Sequence, residues 1–144
     1  VAVHVHDMDR MIRFYRDALR IRPGYATARA NLGQSLAMLG RRREAILEYE
    51  EAIRLDPGMA EARNYLGMAL AADGRLDEGL EQLTEAVRLR PDYGRAHYTR
   101  ATVLYNTGDY PAAWDAVRMA RRNGYQPPAS FEAMLRAKMP EPPS

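Results

Sequence analysis

Residues 57–91 read PGMAEARNYLGMALAADGRLDEGLEQLTEAVRLRP, and most of what they contain returns 34 residues away on either side. Pro23, Pro57 and Pro91 set the step, and self-similarity at a fixed period is the signature of a repeat architecture. Leu66–Gly67 falls on Leu32–Gly33 and on Arg100–Ala101, and Leu70 falls on Leu36 and Leu104. Gly40, Gly74 and Gly108 align. So do Ala45, Gly79 and Ala113, then Tyr49, Leu83 and Val117, then Ala52, Ala86 and Ala120. The step also runs backwards, where Tyr15, Ala18, Leu19 and Ile21 match Tyr49, Ala52, Ile53 and Leu55.

Each unit predicts two helices. Ala26–Leu39 carries Leu32, Leu36 and Leu39 at helical spacing. Gly40 then breaks the chain, at a position where a helix end tolerates positive φ. The second helix, about Arg43–Leu55, sets Ile46, Tyr49, Ala52 and Ile53 on one face. Pro57 ends it by biasing Asp56 away from the α region. Pro111 sits in the first turn of its helix, where a missing N–H costs nothing. Gly33, Gly67 and Ala101 lack bulk where the two helices of a hairpin cross, and Ala52, Ala86 and Ala120 lack it where the next unit docks. Helix propensity explains the alanines, but not glycines in mid-helix at ~0.5–1 kcal/mol each.

The pattern Leu32–Gly33–x–x–Leu36, Ala45–x–x–x–Tyr49 and Pro57 recurs as Leu66–Gly67–x–x–Leu70, Ala86 and Pro91. Over roughly residues 8 to 125 it resembles the tetratricopeptide repeat family. Arg29, Arg63 and His97 stand where that family has an early tryptophan, and Gly79 stands where alanine is usual. The resemblance implies an all-α, right-handed α-solenoid of helix–turn–helix repeats. Residues 1–25 would be a partial repeat, mainly its second helix. Residues 26–59, 60–93 and 94–127 would be three full repeats, residues 128–139 a capping helix, and residues 140–144 a disordered Pro-rich tail. Phe131, Met134 and Leu135 would form the apolar face of that cap, which solenoids need at their ends.

The chain begins with Val1 rather than Met, compatible with a processed product or a fragment. The first helix of the first unit is expected to be truncated. The core-type residues Ile12, Tyr15 and Leu19 would then form an N-terminal edge covered by upstream chain, a second copy or another subunit. The other expected cover is Val1–His6 folded back through Val1, Val3 and Val5.

Composition narrows the function. The chain has 144 residues, a hydrophobic fraction of 47%, a charged fraction of 28% and a net charge of +2. Such a composition suits one globular domain. No apolar run approaches the ~18 residues of a membrane span, and no basic-then-apolar leader opens the chain. Lys138 is the sole lysine, and acidic residues interrupt the arginines, so no sustained basic face for nucleic acid is expected. The Arg41–Arg43 run is the densest basic patch, read as a solvated turn against a phosphate or acidic-partner site. With no cysteine, thiolate metal sites and disulfides are excluded. His4 and His6 would share a face only if Val1–His6 were extended, and two ligands make a weak metal site. His97 reads as a partly buried helix residue. Glu48, Glu50, Glu51, Asp77, Glu78, Glu81 and Glu85 read as a solvated outer face. No Gly-rich phosphate loop and no catalytic group stand out, so no enzyme activity, cofactor or metal is expected.

What remains is a surface. In the family, the first helix of each unit lines a concave groove. Carried onto this chain, the groove positions are Thr27, Ala30, Gln34, Ala37 and Met38 in the first full unit. In the second they are Glu61, Asn64, Met68, Ala71 and Ala72, and in the third Arg95, Tyr98, Thr102, Tyr105 and Asn106. Met and Tyr suit a binding surface, since one adapts and the other presents area at low entropy cost. A protein or peptide partner is therefore expected in the groove or at the N-terminal edge. The alternatives are the C-terminal repeat region of a larger protein, possibly a bacterial membrane-anchored glycosyltransferase-like one, and a self-assembling structural subunit. Ala30 and Gln34 replace the lysine and asparagine with which some members clamp a terminal carboxylate. Asn31 matches the asparagine ladder of the repeats in O-linked sugar transferases, but Tyr65 and Thr99 break it.

Overall fold

The computed structural model describes residues 2–21 and 24–144, with side chains from residue 6 to 20 and from 24 onward. Expectations that fall on Val1, Pro23 and the side chains of Val3, His4, Val5 and Ile21 lie outside the described residues. Eight helices and no strand occur among the described residues: α1 (Ala2–Ile21), α2 (Ala26–Met38), α3 (Arg42–Leu55), α4 (Ala60–Ala72), α5 (Leu76–Leu89), α6 (Gly94–Thr107), α7 (Tyr110–Arg122) and α8 (Ala129–Lys138). Contacts run mainly between consecutive helices, with further packing of α2 on α4 and of α4 on α6. First helices thus form one layer and second helices another. The helical solenoid read from the 34-residue step is the architecture found.

Each α2-type helix ends where a glycine takes the left-handed region, at φ of 77° for Gly40, 83° for Gly74 and 84° for Gly108. The next N–H then reaches back to close the helix, as Arg41 does to the Leu36 carbonyl at 2.9 Å and Arg75 to Leu70 at 2.9 Å. Within a hairpin, a side chain of the second helix drops into the gap left by the glycine of the first. A Cβ on Gly33 would stand 2.6 Å from the Tyr49 ring. One on Gly67 would stand 2.6 Å from Leu83 Cγ and 2.9 Å from the Gly79 carbonyl oxygen. Gly79 departs from the family's alanine for the same reason. Its Cβ would lie 2.8 Å from the Gly67 carbonyl, so the central hairpin crosses backbone to backbone. Bulk trades across the contact, Tyr49 facing Gly33, Leu83 facing Gly67, and Val117 occurring with Ala101.

The residues that replace the family tryptophan act as polar clasps. Arg63 donates from Nε and Nη2 to the Pro57 carbonyl at 3.2 and 3.1 Å and from Nη1 to Gln82 at 2.9 Å. Arg29 pairs with Glu48 at 2.9 Å, one step earlier. Glu48 is therefore a half-buried partner rather than part of a solvated face. His97, 5% exposed, has Nε2 at 2.8 Å from the Pro91 carbonyl. The outer faces of α3 and α5 carry repeating pairs: Arg41 with Glu44, Glu51 with Arg54, Arg75 with Glu78 and Glu85 with Arg88. The paired arginines hold these four carboxyls below their usual range, but exposed pairs add little stability.

Both ends differ from expectation. The helix at the N-terminus begins at Ala2, not near Met8, so residues 2–6 form neither an extended segment nor a folded-back cap. At the other end Phe131 and Leu135 pack on Trp114 and Val117, but Met134 points outward, 51% exposed. The Pro-rich tail is docked rather than free. The Trp114 indole N–H donates to the Met139 carbonyl at 3.0 Å, Arg121 binds Glu141 at 2.8 Å and Glu132 at 2.7 Å, and Arg118 donates to the Pro142 carbonyl. Among the described residues, no helix is long and apolar enough to cross a membrane.

Gly67→Leu should lower stability by about 1–3 kcal/mol in thermal or urea unfolding, because the added atoms meet a backbone oxygen that cannot move aside. Gly58→Ala, whose Cβ would meet only the Asp56 carboxylate at 3.6 Å, should stay within about 0.5 kcal/mol of the parent. Equal losses in both would remove the crossing contact as the explanation. Truncation after Lys138 should shift the emission of Trp114, the chain's one tryptophan, to the red and cost about 1–3 kcal/mol by orphaning its N–H. An unchanged spectrum would contradict the docked tail.

Candidate partner-binding face

The first-helix layer presents the expected groove positions unevenly. Met38 is 63% exposed, Met68 is 45% exposed, and Thr27, Ala72, Arg95 and Asn106 are also exposed. Gln34, Ala37, Glu61, Ala71 and Thr102 are half-buried. Glu61 is ion-paired with Arg90, and the Thr102 hydroxyl donates to the Thr99 carbonyl at 2.7 Å. Two positions do not reach the surface. Ala30 is 3% exposed, packed with Ala52 and Ala62, and Asn64 is 1% exposed with its side-chain carbonyl unpartnered. An amide held inside the helix layer cannot meet a ligand without a rearrangement.

In the third unit the face is partly occupied by the chain itself. Phe131 of α8 meets Tyr98 edge-on at 5.4 Å and Tyr105 at 5.9 Å. Tyr98 also stacks on Tyr125 at 5.2 Å, and Tyr105 lies 5.7 Å from Tyr110. Burial raises the Tyr98 phenol above its ordinary pKa. Both tyrosines are half-buried and committed to this cluster.

Two crevices adjoin on the remaining face. One, of about 190 Å³, lies where α2 and α3 meet α4, floored by Tyr49 and Tyr65 and walled by Ala37, Met68 and Ala72, with Arg42 at its mouth. The other, of about 210 Å³, lies where α4 meets α6, between Met68, Ala72, Thr99, Thr102, Val103 and Asn106. Met68 and Ala72 belong to both. Tyr49 and Tyr65 stack at 5.7 Å with planes 22° apart, and burial pushes the Tyr49 phenol strongly up, so it stays neutral. The family's groove positions do not include Arg42 or Tyr65. The one trace in the sequence is that both break the repeat, Arg42 matching Leu76 and Tyr110, and Tyr65 matching Asn31 and Thr99.

The N-terminal edge divides differently from expectation. Ile12 and Leu19, 3% and 8% exposed, are buried in one cluster with Ala28, Leu32 and Ile46, and Tyr15 packs against it half-buried. They face the following unit. The uncovered residues are Met11 at 46% and Phe14 at 67% exposure, one step before Ala45 and Glu48. In α3, Ala45 is buried and Glu48 is paired to α2, so Phe14 marks the side where α1 has no first helix, and Met11 stands at its border, its Sδ accepting from the Ser35 hydroxyl of α2 at 3.5 Å.

No group of three or more His, Cys, Asp or Glu side chains suited to a metal ion occurs among the described residues. No curated protein matches the chain. Among solved structures, the crystal structure of MamA superposes with a TM-score of 0.77 at 25% identity, covering 84% of this chain and 71% of that one. MamA from Desulfovibrio magneticus, at 22% identity and a TM-score of 0.75 over 84% and 68% of the two chains, shares the fold. A mutant O-GlcNAc transferase from Thermobaculum terrenum gives a TM-score of 0.73 at 31% identity over 83% of this chain, which spans 25% of that one. The tetratricopeptide repeat family model matches residues 12–60, 30–83 and 66–127, which together run over most of the sequence. With the 34-residue step, the glycine-notched hairpins and the helical solenoid in agreement, the chain belongs to the tetratricopeptide repeat family.

Proposed function

We propose that the protein is a non-catalytic scaffold that holds a segment of a partner protein against its first-helix layer. The observation that carries this reading is the pair of adjoining crevices sharing Met68 and Ala72. A segment lying across α2, α4 and α6 would meet both in succession. Asn106 and the flexible Met68 line the second crevice with an amide and a thioether, groups that adapt to a bound backbone.

Peptides selected from a random library for binding to the chain should lose at least tenfold in affinity on Met68→Asp, as read by fluorescence anisotropy. Met134→Asp, on the outer side of α8, should leave their affinity unchanged. Selected peptides indifferent to Met68→Asp would remove the groove.

A second docking surface is favoured by the exposure of Met11 and Phe14. An exposed pair on a face that other units cover is an interface of the unit-stacking kind. The cover would be a first helix, from upstream chain, a second copy or another subunit. The likeness to a quarter of the O-GlcNAc transferase chain fits the alternative that these repeats serve a larger protein. A Met11→Asp, Phe14→Asp double variant should keep the parent's stability within about 1 kcal/mol, since Phe14 is open and Met11 gives up only a weak contact from the Ser35 hydroxyl. It should also abolish any dimer seen by light scattering. Self-association that survives both changes would place the contact elsewhere.

A further inference from the structure

The three consecutive arginines at the start of α3 have three different settings. Arg41 is engaged, with Nε and Nη2 donating to Glu44 at 2.7 and 2.6 Å. Arg43 lines a hollow on the second-helix side with Ile46, Leu47 and Asp73. Arg42 stands at the mouth of the crevice floored by Tyr49 and Tyr65. It is exposed, and no carboxylate among the described residues reaches ion-pair distance from it. Glu44 and Asp73 border a separate, outer hollow that it also touches, but Glu44 is already bound by Arg41.

The repeat does not require a cation here. The 34-step counterparts Leu76 and Tyr110 are apolar or aromatic and half-buried, whereas Arg42 is exposed. Nor does the repeat require an aromatic floor, since Tyr65 corresponds to Asn31 and Thr99. Two independent departures therefore meet at one joint, an aromatic-floored crevice and an unpaired guanidinium at its rim.

We propose that this joint recognises an acidic residue next to a large apolar residue in a partner peptide. The apolar side chain enters against Tyr65 and Met68, and the neighbouring side-chain carboxylate meets Arg42. The inference rests on the groove reading above and assigns its ligand chemistry. A guanidinium offers a carboxylate two parallel N–H donors, so the contact fixes orientation as well as charge. At an exposed rim such a pair contributes to selectivity and encounter more than to affinity. The expected preference is accordingly a few-fold.

Methyl-13C methionine spectra give the test, with Met68 in the crevice and Met134 as the distant reference. Acetyl-Asp-Phe-amide should shift the Met68 methyl, leave Met134 in place, and bind at least about threefold tighter than acetyl-Lys-Phe-amide. In Arg42→Gln, which removes only an exposed side chain, the two should bind alike, and 0.5 M salt should narrow the gap in the parent. Equal binding of the two in the parent, a preference that survives Arg42→Gln, or no movement of Met68 would overturn the proposal. So would tighter binding of acetyl-Gly-Phe with a free C-terminal carboxylate, which would assign Arg42 to a chain end. Library-selected peptides that still depend on Met68 while acetyl-Asp-Phe-amide fails would leave the groove standing and remove this ligand. Peptides that ignore Met68 would remove both.

Discussion

The molecule depends on how closely two helices can cross inside one hairpin. In the central hairpin that approach is set by hydrogen atoms on facing Cα carbons, Gly67 against Gly79, each with the other's carbonyl inside the space a methyl would need. In the hairpin before it, Ala45 stands in place of Gly79 and the Tyr49 ring lies over Gly33. Inter-helix distance follows side-chain size at the contact. The trade between notch and filler keeps the units geometrically alike while their residues differ. Because the units stay alike they stack, and the stack builds both the first-helix layer and its crevices.

The fold was legible because its constraint is periodic. Glycines at Gly40, Gly74 and Gly108 need left-handed backbone, and Pro57 and Pro91 end helices by covalent geometry, so both leave marks in any single sequence. The binding face was only half legible. Of the family's groove positions, Met68 is exposed and Thr102 half-buried, whereas Asn64 and Ala30 lie inside the layer. Small rotations of each helix, invisible to a period count, decide which of two adjacent positions is open. The same limitation applied to α1. Core-type residues were recognisable at Ile12 and Leu19, yet which neighbour each one faces is a three-dimensional fact. Uncovered area went to Met11 and Phe14 instead.

Arg42 and Tyr65 were hidden for the opposite reason. A search for agreement between units passes over residues that belong to one unit alone. What the repeats share builds the hairpin, and what they do not share sets each unit's surface apart. The terminal tail follows the same logic. Pro140–Ser144 has the composition of a disordered end. Nevertheless Arg118, Arg121 and the Trp114 indole, residues of one unit only, supply donors for Met139, Glu141 and Pro142.

Packing almost entirely between consecutive helices also bears on how the chain reaches this structure. Among the described residues, packing runs mostly between neighbours in sequence, and low contact order of this kind favours rapid folding. A hairpin can form as soon as its 34 residues are available and then serve as template for the next, so assembly can follow the direction of synthesis. The α6–α7 hairpin is sealed only when Met139 reaches Trp114. Until that hydrogen bond forms, the growing stack would expose one open helical face.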